Sequence, residues 1–306
     1  MTATSAAAPA AATNRIRRNR TAADEAHRLL PRPLLVIVTV ILLAMVLIPT
    51  AYIVLASLNT DLGVAEGQFW PSSFSLASYG QIWTTANLAT GLANSMVVCT
   101  VLAVASALLG TITAYVLVRY TFLGRVTILR GLVGLQSVPG TLMLLPVFVL
   151  YASAGNYFGV QVIGTRWGLG IAYLTFALPF STWVMVTYLR GLPRELEEAA
   201  RMDGASTLTI LFRIIMPLSL PAIVVSGIFA FLLGWNDVLF ASVLTRPETQ
   251  TAAVALSIFG ATQEGGALPV YSQIMAAALV CAAPVVVLYL VFQRYLVGGL
   301  TAGGVK

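Results

Sequence analysis

The chain has 306 residues, of which 58% are hydrophobic and 9% charged, with a mean hydropathy of +0.90. A water-soluble domain cannot bury that much apolar surface, so the surrounding solvent is lipid. The net charge is +6 and the only lysine, Lys306, closes the chain, which excludes a G-x-x-x-x-G-K-[ST] phosphate loop.

The lone histidine, His27, lies in a polar stretch, and Cys99 and Cys281 lie within apolar runs. This argues against histidine acid–base chemistry, a metal site or a redox pair. The chain by itself does not read as an enzyme, and it carries no signature for nucleic acid.

Residues 1–32 read as a disordered basic tail, low in complexity at first and then carrying Arg15, Arg17, Arg18, Arg20, Arg28 and Arg32. Residues 33–306 read as one transmembrane domain. Six nearly uncharged runs approach or exceed the ~20 residues that cross ~30 Å of hydrocarbon. They lie near Leu34–Leu58, Met96–Val118, Gly131–Ala154, Gly168–Leu189, Pro217–Leu244 and Ile274–Phe292. Continuous apolar runs must be helices in lipid, where unpaired backbone groups are not tolerated, and they lack the alternation of a β-barrel. The first run is too long for the ~7–15-residue apolar core of a cleavable signal and reads as a retained span.

Arginines set the direction. Of 17 basic residues, only Arg166 and Arg246 fall in loops on the far side. The positive-inside rule therefore places both termini in the cytoplasm.

Span three contains Pro139 and Pro146, and span four contains Pro179. Proline bends a membrane helix and frees a carbonyl, so Gln136, Ser137 and Thr141 either face a cavity or bond back to their own helix. Between spans four and five, six charged residues crowd into Arg194–Gly204. Pro193 suits a first helical turn, and Glu195, Glu197 and Glu198 favour the positive end of the helix dipole. Gly204 is placed to end that helix in a left-handed conformation. Ser206 or Thr207 caps a second helix whose apolar face is Leu208, Leu211, Phe212 and Ile215. From spacing alone, this is either a solvated loop or a short docking helix.

Asp237 is the only acid within a span. It is a functional candidate by its depth, or a hydrated interfacial anchor together with Trp235. Trp235, Asn236 and Asp237 offer the aromatic face, amide and carboxyl group that sugar sites combine, and so are candidates for a translocation path.

The run Glu198-Ala199-Ala200, then Gly204, Ile214 and Pro217, resembles the EAA loop of bacterial ABC importer permeases, of form EAA-x3-G-x9-I-x-L-P. Every spacing fits, with Met216 where the pattern has Leu. "GWNDVLF" (234–240) and "GLTAGGVK" (299–306) are similar to the carbohydrate importers, in particular the maltose-type second permease subunit, although the final glycine usual there is missing.

The resemblance implies an all-α integral membrane protein of type I ABC importer permease fold, with six transmembrane helices. It also implies a cytoplasmic coupling loop over about 191–216 and a C-terminal tail over 295–306. In it, Glu198, Ala199, Ala200, Asp203, Gly204 and Ala205 would couple to an ATPase. The slim, flexible end Gly299, Leu300, Thr301, Ala302, Gly303, Gly304, Val305 and Lys306 would reach the ATPase pair. The partners implied are a second permease forming a heterodimer, two ATPase subunits that use ATP and Mg, an extracytoplasmic sugar-binding protein and the bilayer of a bacterial plasma membrane. No cofactor or metal is expected in this chain.

Glycerol-phosphate or polyamine import is the nearest alternative, and the WND and terminal motifs argue against polyamines. A proton-coupled secondary transporter would carry several intramembrane ionisable groups rather than one. A non-transporting scaffold gives no reason for the EAA spacing.

Overall fold

The computed structural model describes residues 32–263 and 270–302, and every regular element among them is a helix. Helix α1, Arg32–Ser57, is apolar on all sides with Pro49 inside it, the pattern of a helix whose solvent is hydrocarbon. The chain divides after Leu55, and Ala56 begins a second, larger compact unit.

That second unit is built on α4 (Leu88–Arg119), α7 (Arg166–Arg190) and α11 (Leu220–Asn236), which pack along one another. Lipid supplies no hydrophobic drive between helices, so close approach of small residues holds them together. A Cβ on Gly110 of α4 would lie 2.9 Å from the Ser181 Cβ of α7, and the Ser181 hydroxyl donates to that of Ser106 at 3.4 Å. A Cβ on Gly234 of α11 would likewise lie 3.1 Å from both Cys99 Sγ of α4 and Tyr173 Cδ2 of α7.

Span three departs from the sequence expectation. The single helix expected over Gly131–Ala154 is two, α5 (Arg125–Gln136) and α6 (Gly140–Phe158). Pro139, at φ −58° and ψ 126°, lies between them. It has no N–H to continue α5 and disfavours helix at Val138, so the chain restarts at Gly140. Pro146 and Pro179 stay inside α6 and α7.

Span five also differs. It was expected as one helix over Pro217–Leu244, but α11 ends at Asn236 and a separate α12 runs Leu239–Leu244. Before α11, the segment Thr207–Leu218 meets it at a bend of 77°. Five helices are long and apolar enough to cross a membrane among the described residues, or six when the bent pair counts as one.

The last helix, α14, runs Tyr271–Ala302, well past the expected limit of Phe292. Gly299, Leu300, Thr301 and Ala302 are therefore helical rather than a flexible tail. Extending an existing helix adds one hydrogen bond per residue fixed, which offsets the ~1 kcal/mol that glycine loses to alanine. Gly303, Gly304, Val305 and Lys306 lie outside the described residues.

Sequence reading placed nothing between spans five and six. The structure has α13, Ala252–Gln263, stitched to α4 there. Asn94 Nδ2 donates to the carbonyls of Glu248 and Gln250 at 3.1 and 2.9 Å, and the Ala252 N–H donates to Ser95 Oγ at 2.8 Å.

The two ends of the bundle differ in charge. α4 ends on Arg119, α5 begins on Arg125 and α7 ends on Arg190, forming a basic end. At the opposite end two short helices, α2 (Asp61–Ala65) and α3 (Ala77–Thr85), pack on α14. There the Asp61 carboxylate accepts from the Ser272 N–H at 3.0 Å, satisfying a donor in the first turn of α14.

Candidate functional site

Two places draw together the residues singled out by sequence. The first is the segment after α7 at the basic end. Helix α8 spans Glu195–Met202, opened by Glu195, Glu197 and Glu198 in its first turn. It ends as the sequence requires: Gly204 adopts φ +80°, the Gly204 N–H donates to Arg201 O, and the Ala205 N–H donates to Ala200 O, each at 3.0 Å. This pair of bonds is the Schellman arrangement, and Ala205 packs in the same cluster as Ala200.

Nothing lies within 4 Å of a Cβ placed on Gly204, so only backbone conformation restricts the position. Gly204→Ala is expected to destabilise the turn by about 1–2 kcal/mol, and Gly204→Asn by less, since asparagine tolerates the left-handed region. Thermal unfolding of the purified assembly should rank them in that order. Equal losses would mean that contact with another chain, not φ, sets the restriction.

After the turn, the Ser206 hydroxyl accepts from the Thr209 N–H at 3.3 Å and caps α9, Thr207–Ile210. A π-turn over Leu211–Ile215 follows, with the Met216 N–H bonded to Leu211 O, then α10, Met216–Leu218. Pro217 has no N–H to offer Arg213 O and crowds that carbonyl, which favours widening the preceding turn. The widened turn rotates the helix and changes the expected face. Ile210, Leu211 and Ile215 are buried, whereas Leu208 and Phe212, expected beside Leu211 and Ile215, are exposed.

Helix α8 is held to the bundle by a contact that sequence reading missed. Glu197 is 4% exposed. Its Oε1 lies 2.5 Å from Arg119 Nε as an ion pair without in-line hydrogen-bond geometry, and its Oε2 accepts from the Tyr115 hydroxyl at 3.1 Å. Arg119 Nη2 also donates to Leu192 O at 3.2 Å. Within a run of acids, Glu197 reads as one more charge near a helix start, and Arg119 as a topology signal. The one available clue is helical spacing, which sets Glu197 and Ala200 on one face, three residues apart. Ala200 is buried there too, while Glu198, Ala199, Asp203 and Gly204 are exposed and Ala205 is half-buried. The helix also exposes apolar atoms: Met202 is 88% exposed and Leu196 42%.

The second place is a cavity of about 710 Å³ walled by the last residues of α5, the first turns of α6, the middle of α7 and the last turns of α11. Gln136, Thr175, Asn236 and Asp237 contribute its polar groups, and Phe176, Phe180 and Phe229 its aromatic faces. Phe180 and Phe229 meet edge to face at 5.2 Å. The three phenylalanines were not legible as a group, because they come from two helices and nothing in the local pattern separates them from core residues.

Of the residues near the proline breaks, Gln136 lines the cavity and so does Pro179, but Ser137 and Thr141 do not. Trp235, grouped by sequence with Asn236 and Asp237, points away from the cavity. It is buried, stacks on Phe231 at 5.2 Å, and its indole N–H donates to Cys281 O at 3.2 Å. A helical step of 100° per residue parts neighbours in this way. Asp237 is also no free acid in lipid. It leaves α11 in an extended conformation, and its Oδ2 accepts from the Tyr173 hydroxyl at 2.8 Å and from the Ala241 N–H of α12 at 3.0 Å.

A bundle of apolar helices with a bent segment at its basic end and a polar–aromatic cavity within it suits a transport permease. Comparison with known proteins agrees: residues 106–301 match the family described as binding-protein-dependent transport system inner membrane component, and the chain belongs to it.

Among similar proteins is the inner membrane ABC transporter permease protein YcjP of Escherichia coli, 36% identical over 214 residues, 70% of this chain and 73% of that one. Another is the trehalose transport system permease protein SugB of Mycobacterium tuberculosis, 32% identical, covering 85% of this chain and 92% of the relative. In fold, the chain is similar to a bacterial ABC transporter involved in the import of the acidic polysaccharide alginate. The TM-score is 0.69 at 24% identity, over 87% of this chain and 98% of that one. The fold is that of the type I ABC importer permeases.

Proposed function

We propose that this chain is one permease subunit of an ATP-driven importer for a sugar or oligosaccharide. It would form the path with a second, unlike permease, receive substrate from an extracytoplasmic binding protein and be driven by two ATPase subunits. The observation that carries the reading is the two-sidedness of α8. Its inner face is tied to α4 through Glu197, and its outer face leaves Leu196, Glu198, Ala199 and Met202 bare. Exposed apolar side chains beside an acid with no ion-pair partner among the described residues, outside the apolar spans, suit the docking of a protein with basic groups. Displacement of α8 by an ATPase would then pull on α4 directly. The basic end faces the cytoplasm in this reading, so a cysteine placed at position 306 reacts with an impermeant label only after the membrane is breached. Labelling from outside intact cells would reverse the topology.

The cavity supports a neutral polyhydroxylated substrate. Aromatic faces cover the apolar faces of sugar rings, and the Gln136 and Asn236 amides with Asp237 match hydroxyl groups. The similarity to a trehalose transport permease points to the same class. In the reconstituted assembly, Gln136→Ala is expected to reduce uptake of labelled trehalose or maltose about tenfold, the weight of one substrate hydrogen bond. The amount of assembled complex should not change. Wild-type uptake by Gln136→Ala and Phe180→Ala together would remove the cavity from the path.

A further inference from the structure

A second groove, at the basic end, has no part in either site above. Its volume is about 590 Å³, and it is lined by Arg125, Arg130 and Arg190 together with Val126, Leu129 and Val133. Arg190 is the last residue of α7, which packs against α5, and Arg125 is the first residue of α5. Arg130 lies five residues further on, about 7.5 Å along the axis towards the hydrocarbon.

Among the described residues, no carboxylate lies within 4 Å of any of these guanidinium groups, and the single ion pair found there belongs to Arg119 and Glu197. Arg125 Nε is shielded from solvent and has no hydrogen-bond partner. Three arginines therefore line one groove with apolar side chains among them and, among the described residues, no carboxylate to pair with.

We propose that this groove is a binding site for one anionic phospholipid of the leaflet at the basic end, its phosphate held by the arginines and its acyl chains lying along α5. Charge complementarity selects the headgroup, and a basic pocket between membrane helices is the setting in which such headgroups bind. The apolar half selects a lipid over a protein. No side chain of α5 is buried, and Val126, Ile128 and Val133 are each at least 45% exposed, a surface that hydrocarbon covers. The surface proposed for an ATPase lies elsewhere, on α8. Arginine at this depth keeps its stem in the apolar layer and its head at the phosphates.

The test places the full-length chain, in its native assembly, in phosphatidylcholine nanodiscs containing phosphatidylglycerol, and counts retained lipid by native mass spectrometry. The wild type is expected to keep phosphatidylglycerol through a delipidating wash. Combined Arg125→Gln, Arg130→Gln and Arg190→Gln is expected to weaken retention by roughly fivefold per guanidinium removed. Arg130→Gln alone, at an exposed position, is expected to give one such step, which keeps the proposal testable should the triple variant fail to assemble. Arg15→Gln, Arg17→Gln and Arg18→Gln together remove the same charge and should leave retention unchanged. Equal loss in both triple variants would reduce the effect to diffuse attraction and overturn the site. Displacement of the lipid by excess inorganic phosphate would overturn a lipid in favour of a small-anion site. Unchanged lipid with loss of an associated protein would mark the groove as a protein contact.

Discussion

Glu197→Ala is expected to destabilise the α8 segment by about 3–5 kcal/mol, the loss usual when one partner of a buried ion pair is removed. The side chains of Glu197 and Arg119 are 5% and 6% exposed, so the substitution strands a buried guanidinium, and the Tyr115 hydroxyl loses its acceptor. Helix α8 has only eight residues and cannot hold its position by propensity, so the expected outcome is collapse of uptake with normal membrane insertion.

Glu197→Gln should sit between wild type and alanine, because an amide oxygen still accepts from Tyr115 while the charge on Arg119 stays uncompensated. Arg119→Leu with Glu197→Leu should recover much of the stability lost by either single change, since a buried pair replaced by apolar groups is often neutral. Uptake and thermal stability, measured for the wild type and these three variants, decide the matter. If the double variant recovers stability but not uptake, the pair transmits movement as well as holding α8. If Glu197→Ala behaves as wild type, α8 is held by something other than this contact.

Asp237→Leu is expected to be nearly as damaging, for a different reason. Its carboxylate receives two donors, the Tyr173 hydroxyl, on a side chain 1% exposed, and the Ala241 N–H that opens the turn of α12. Leucine leaves both unsatisfied, at about 1–3 kcal/mol each. Asp237→Asn keeps one oxygen that can accept from both, so its assembly should be close to wild type. Uptake normalised to assembled complex then separates the roles. Near-normal rates for asparagine with a deep loss for leucine mark Asp237 as a hydrogen-bonding corner of the cavity. Equal failure of the two, with the fold intact, would mean that the negative charge itself acts beyond these two hydrogen bonds.

The pattern of local residues was enough for part of this protein. Long apolar runs have one solution in lipid, so α1, α4, α7 and α14 could be placed from composition, and Pro193, the three glutamates after it and Gly204 marked α8 and its left-handed turn. Breaks were less legible. Hydropathy does not register the lost N–H of Pro139, the widened turn before Pro217 or the end of α11 at Asp237, so by hydropathy alone two broken spans read as single helices.

What only the tertiary structure decided concerns partners distant in sequence. Glu197 finds Arg119 and Tyr115 across more than seventy positions, and Asp237 finds Tyr173 across 64. Trp235 turns to Cys281, and Phe176, Phe180 and Phe229 meet at one cavity. Sequence periodicity tells which face of a helix a residue occupies. Which neighbour that face meets depends on how helices cross. In lipid the crossing is set by where small residues such as Gly110 and Ser181 let two backbones touch, a geometry that neither helix carries alone.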